Sequence, residues 1–205
     1  HLLNQPFMKN QMPFLLLCAA AALSMLASCK KDNGNDDCGG PNPNFPFMET
    51  GHSITFAYDE LFGSSGDVTY TYGDQNADGS FNVSVSGTPK PAALAGIDNF
   101  FYKACGDKFY TGIESIAGAD NWQYKANAKA GEPWTNKFDG GQATYTVLED
   151  GLTVSTIAGD IPNCAKITYQ QALTFNTDTV YWSDQIGWVK YDGFLLSYEL
   201  KSKNF

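Results

Sequence analysis

The residues best suited to chemistry lie in Asp74-Gln-Asn76-Ala-Asp78-Gly79-Ser80. Oxygen-bearing side chains at D-x-N-x-D-G spacing form the opening half of a calcium loop, in which Gly at the sixth position permits a sharp turn. Asp74, Asn76 and Asp78, with the Ser80 carbonyl at the seventh position, are therefore candidate calcium ligands. The twelfth position is Val85, where such a loop carries a bidentate glutamate. A polar hairpin with Asp78-Gly79 at its turn accounts for the same residues and competes with the calcium reading.

Nucleophilic and acid–base chemistry find less. His52 is the sole histidine beyond the N-terminal segment and stands beside Gly51 with no nucleophile motif nearby. Gly63-Ser-Ser-Gly66 lacks the G-x-S-x-G spacing of a nucleophile elbow and reads as a turn. Asp59-Glu60 and Glu149-Asp150 are adjacent acids in turn-like contexts, where carboxylates are ordinarily solvated. No catalytic residue is assigned, no cofactor other than calcium is expected, and the chain is read as non-enzymatic. Trp122, Trp182 and Trp188 offer a different kind of site. Exposed, they would stack on sugar rings or line a groove for an apolar ligand; turned inward, they would fill the core of a sheet.

Cysteine has its clearest role near the N-terminus. Residues 14–27 are almost wholly Phe, Leu, Ala and Met without charge, a run suited to a signal-peptide core and too short for the ~20 residues that span a bilayer. Met8-Lys9-Asn10-Gln11 supplies a short basic lead, which suggests that translation starts at Met8. The run ends in Leu26-Ala27-Ser28-Cys29, which resembles a bacterial lipobox. That resemblance implies cleavage after Ser28 and acylation of Cys29, so that acyl chains anchor the protein in a membrane; ordinary secretory cleavage near Ala27 is the alternative. Several chains at about 0.8 kcal/mol per buried methylene give a stable anchor. Cys38, Cys105 and Cys164 are then left in an oxidising compartment. A Cys105–Cys164 disulfide is favoured because Cys38 sits in a Gly/Pro/Asn-rich stretch, and three reduced thiols are the alternative.

Composition narrows the class further. The chain of 205 residues has 13 lysines and no arginine against 22 acids, for a net charge of −9. That charge excludes nucleic acid as a partner, because binding needs cationic density to displace phosphate counterions. Residues 1–28 are assigned to upstream sequence and signal peptide, 29–47 to the lipidated cysteine and a disordered linker, and 48–205 to one domain. The linker opens Lys30-Lys-Asp32, with Asp36 and Asp37 behind it, and resembles the acidic export signal of surface-displayed lipoproteins. Periplasmic face and cell surface both remain open.

The elements that must position these residues are strands. Short alternating runs near 53–58, 67–72, 80–85, 100–104, 108–113, 121–126, 142–148, 152–157, 165–175, 179–183, 187–191 and 194–200 are separated by turn residues. Glu149-Asp150-Gly151 is expected to close a hairpin, and Ala92-Ala-Leu-Ala95 a short helical turn. The pattern predicts an all-β antiparallel sheet curved into a half-barrel or barrel, with a sandwich as the alternative.

Lys129-Ala-Gly-Glu-Pro-Trp134, Ala143-Thr-Tyr-Thr-Val147, Ile157-Ala-Gly-Asp-Ile-Pro-Asn-Cys164-Ala-Lys-Ile167, Asp178-Thr-Val-Tyr-Trp182, Ile186-Gly-Trp-Val-Lys-Tyr191 and Ser197-Tyr-Glu-Leu-Lys201 resemble a family of Bacteroidota outer-membrane lipoproteins. The likeness covers roughly residues 100–205 and departs at Ile161-Pro162, where the family has a Gly-Thr-Phe-like turn. It implies a half-barrel similar to lipoprotein-carrier folds, which hold acyl chains on a concave apolar face. The partner expected for the chain is an apolar or glycan ligand or an envelope protein. It lends no catalytic residue.

Overall fold

Alternation of apolar and polar residues commits most of this chain to strands with one buried face. The computed structural model describes residues 38, 41–113, 122–138, 141–171 and 177–205. Twelve antiparallel strands form one sheet, in the order β6-β5-β4-β3-β2-β1-β12-β11-β10-β9-β8-β7. They are β1 (Ser53–Glu60), β2 (Ser65–Gln75), β3 (Phe81–Ser86), β4 (Asn99–Cys105), β5 (Lys108–Gly112), β6 (Tyr124–Lys125), β7 (Pro133–Phe138), β8 (Gly141–Thr156), β9 (Gly159–Gln171), β10 (Thr177–Ser183), β11 (Gly187–Asp192) and β12 (Leu196–Lys203). A 3-10 turn, Ala92–Leu94, falls in the loop between β3 and β4, where a helical turn is expected.

Every strand pairs with its neighbours in sequence except at one seam. There β6 and β7 are the two free edges of the sheet, while β12 closes onto β1. The sheet curls until side chains bridge the seam. Trp134 Nε1 donates to the Gln123 carbonyl at 3.1 Å, Trp122 stacks on Trp134, and Lys125 pairs with Glu132 at 3.1 Å. Pro133 opens the edge strand β7, a place where a missing N–H disturbs no ladder.

Two expectations are corrected by local structure. Glu149-Asp150-Gly151 makes no hairpin; β8 runs through it, and the chain turns at Ile157-Ala158 instead. Asp150 Oδ2 accepts the Ala130 N–H at 2.8 Å, Gly151 has a φ of +70°, and the β8–β9 register slips around them, which together make an irregular bulged strand. β7 was not among the expected strands, because Pro133 and Asn136 interrupt its pattern.

The second correction concerns the linker. Residues 41–48 belong to the folded unit rather than to a tether: Phe45 is 0% and Phe47 1% exposed. Asn42 and Asn44 both donate from Nδ2 to the Gly106 carbonyl at 3.0 Å and pin this strap across the β4–β5 turn. Phe45 and Phe47 then insert among Phe109 and Trp182 and plug one end of the curved sheet.

The strap also decides the disulfide. Because it is held at Gly106, Cys38 reaches Cys105 and bonds to it, while Cys164 is a free, buried thiol. The expected Cys105–Cys164 pair is thereby replaced. Burial pushes the Cys164 thiol up to about 11, so it stays protonated.

Candidate functional site

The strap fills one end of the sheet's concave interior. Strands β1, β3, β5, β9 and β11 run away from that end, and β2, β4, β8, β10 and β12 return to it. Toward the opposite end the interior opens into a cavity of about 190 Å³. Strand alternation builds its walls: Phe56 from β1, Tyr70 from β2, Phe100 from β4, Tyr145 from β8, Tyr169 from β9, Trp188 and Tyr191 from β11, and Tyr198 from β12. Ala93 and Leu94 of the 3-10 turn form a lip.

The rings are mutually ordered. Tyr145 stacks on Tyr169 with centroids 5.6 Å apart and planes at 22°, and Trp134 backs Tyr145 at 5.4 Å and 4°. Tyr70 stacks on Phe100 at 6.1 Å and 26°, while Trp188 meets Tyr70 edge-on. Burial holds the Tyr70 and Tyr124 hydroxyls far above their ordinary range. It pushes Tyr145 up to about 12 against a hydrogen bond from Asn136. These phenols are therefore neutral.

The polar component is small and fixed. Gln123 is 9% exposed and lines the cavity. Its Oε1 accepts the Thr111 N–H at 2.7 Å, its own N–H bonds the Phe109 carbonyl at 2.8 Å, and its carbonyl accepts Trp134 Nε1. Among the described residues that line the cavity there is no Asp, Glu or His. A register shift at Val189 lets Trp188 and Tyr191 both line the cavity; Lys190, which borders it, lies opposite Tyr181 and Glu199 and pairs with Asp192 at 3.7 Å.

The lip is clamped from below. Glu60 Oε1 accepts the Ala92 N–H at 2.7 Å, and its Oε2 accepts from Ser64 N and Oγ at 3.0 and 3.1 Å. Tyr58 Oη donates to the Pro89 carbonyl at 3.0 Å. Beyond this clamp the β1–β2 and β11–β12 turns lie side by side through a Leu61 N–H to Leu195 carbonyl bond, and they expose Leu61, Phe62 and Phe194. Phe62 is 88% exposed.

The residues singled out from sequence are scattered. Trp188 lines the cavity, but Trp182 is buried in the plug layer, stacked on Tyr124 at 4.1 Å, and Trp122 lies on the seam with Lys108 Nζ 5.8 Å above its ring. Trp182 is thus corrected from a ligand contact to a core ring, and Trp122 lies outside the cavity. Of the candidate ligands Asp74, Asn76, Asp78 and Ser80, the last three are bonded to one another: Asp78 Oδ1 accepts from Ser80 N at 3.0 Å and Oγ at 2.6 Å, and Asn76 directs its amide nitrogen at Ser80 Oγ. The loop is a polar hairpin, and among the described residues no group of three or more His, Cys, Asp or Glu side chains could hold a metal ion. His52 is pinned through Nδ1 to the Phe47 carbonyl and stacks on Phe205 at 4.4 Å. Cys29 and its neighbours lie outside the described residues. Sequence reasoning missed Gln123, which no motif marks. It also missed Tyr145 and Tyr169, which strand alternation places inward but nothing distinguishes from core.

Family models, curated proteins and solved structures give no match to this chain.

Proposed function

We propose that the chain is a lipid-anchored lipoprotein of the bacterial outer membrane, non-enzymatic, whose curved sheet holds a small apolar ligand. The observation that carries this reading is the open, aromatic-walled cavity at the end of the sheet opposite the strap. A pre-formed concave site with apolar walls and few convergent polar groups is what small-molecule binding requires. The described residues lining it are mainly aromatic and include no Asp, Glu or His to serve as acid or base, which favours binding over turnover.

The anchor rests on Leu26-Ala27-Ser28-Cys29. With Cys38 tied to Cys105, the chain from Cys29 to Cys38 spans at most about 30 Å even if fully extended. An acylated Cys29 would hold the plugged end toward the membrane and turn the cavity mouth away from it. Cys29→Ala is expected to move the protein from membrane to soluble fractions; continued membrane retention refutes the anchor. Ala93→Phe, which narrows the mouth, is expected to abolish ligand binding without lowering stability.

A second reading, an interaction module, is favoured by Leu61, Phe62 and Phe194 clustered at the rim. Replacing Phe62 and Phe194 with Ser would abolish partner capture while leaving the cavity intact.

A further inference from the structure

We infer that the cavity is built for an uncharged, planar ligand of one or two fused rings that carries a hydrogen-bond acceptor, with that acceptor on Gln123 Nε2. The inference rests on the cavity-binding reading above and adds the chemical class. Size is the first argument. At about 190 Å³ the cavity is modestly larger than the ~150 Å³ engineered cavity that holds benzene, so it takes one or two rings and not a set of acyl chains.

Shape is the second. Tyr145 on Tyr169 and Tyr70 on Phe100 are stacks, and Trp188 stands edge-on to Tyr70. A flat ring extends such stacks and meets the edges of others, gaining aromatic contact that a branched or flexible chain does not.

Polarity is the third. A backbone N–H can be accepted only by the amide oxygen, so the Thr111 bond fixes Gln123 with Oε1 occupied. The Nε2 hydrogens are the donors left to the cavity, and among the described residues no protein acceptor takes them. An accessible amide donor with no protein acceptor is open to a ligand carbonyl or ether, whose hydrogen bond then adds to ring contact. Lys190, the lysine among the described lining residues, is already paired with Asp192 at 3.7 Å, so a carboxylate would enter without a free cation, and a sugar would leave most of its hydroxyls unpartnered against ring faces.

Calorimetric titration of the purified protein in detergent-free buffer with four probes decides the matter: 2-acetylnaphthalene, naphthalene, 2-naphthoate and dodecanoate. The expected result is binding of the ketone, about tenfold weaker binding of naphthalene for loss of one hydrogen bond, and none of either anion. Gln123→Leu should equalise ketone and naphthalene, and Ala93→Phe should abolish both. The wild-type ketone-to-naphthalene ratio needs no variant, so the test survives a Gln123 variant that fails to fold. Equal affinities in the wild type remove Gln123 from recognition and overturn the inference. Binding of naphthoate or dodecanoate that Ala93→Phe blocks overturns the ligand class while leaving the cavity reading in place. No binding by any probe, or binding indifferent to Ala93→Phe, overturns the cavity reading as well.

Discussion

Phe47 lies edge-on to Trp182, with ring centroids 5.9 Å apart and planes at 77°, and so joins a residue ahead of the first strand to the tenth. Gly187 stands against the same ring, where an added Cβ would come within 3.1 Å of Phe47, at a φ of +89°. Phe47→Ala should cost about 3–5 kcal/mol, the range for emptying a buried aromatic site. Urea unfolding measures it. A loss below ~1 kcal/mol would mean that the strap is dispensable to the core.

The disulfide makes a sharper statement about the same strap. Cys38 and Cys105 close a loop of 67 residues, worth about 4 kcal/mol if chain entropy dominates. Cys38→Ser should lower stability by a comparable or smaller amount. Peptide mapping of the oxidised protein should find Cys38 joined to Cys105, and Cys164 should resist thiol reagents until the protein unfolds. A Cys105–Cys164 peptide would contradict the assigned pairing.

The Asp78 turn predicts a pH dependence. Partial burial pushes its carboxyl upward, but hydrogen bonds from the Ser80 side chain and backbone prevail and hold it below the ordinary value. A carboxyl depressed in the folded state contributes fully above its unfolded value of about 3.9. That contribution disappears as pH falls through the lower folded value. Asp78→Ala should therefore cost about 1 kcal/mol at pH 7 and progressively less in acid. Because Asp78 and Asn76 are committed to Ser80, thermal melts should be the same in calcium and in chelator. A calcium-dependent rise that Asp78→Ala removes would restore the ion-binding reading.

Glu60 couples the rim to the cavity. Its two oxygens hold Ala92 N–H on one side and Ser64 on the other. Glu60→Ala should weaken cavity binding several-fold by freeing the Ala92–Leu94 lip, with a stability loss of about 1–2 kcal/mol. Unchanged affinity would show that the lip needs no clamp.

The all-β curved sheet was legible because alternation at 53–58, 67–72 and 80–85 is strict, and a buried face enforces it. The bulge at Gly151 was not, since an acidic-Gly pair reads as a turn unless one knows that Asp150 is drawn to the Ala130 N–H. The strap was misread because Asn and Pro dominate 41–46, yet the two asparagines are what bind Gly106 and deliver Phe45 and Phe47. Trp188, a candidate by residue type, lines the cavity. Gln123 was not legible, because an amide becomes a site only through what surrounds it.

The central claim, a ligand held inside the sheet, is tested most directly by NMR with a fragment set of neutral aromatic ketones. Perturbations should concentrate on the Trp188 indole N–H and the Gln123 side-chain amide, and should vanish in Ala93→Phe. Fragments that leave both resonances unmoved, or that move them equally in Ala93→Phe, would contradict it.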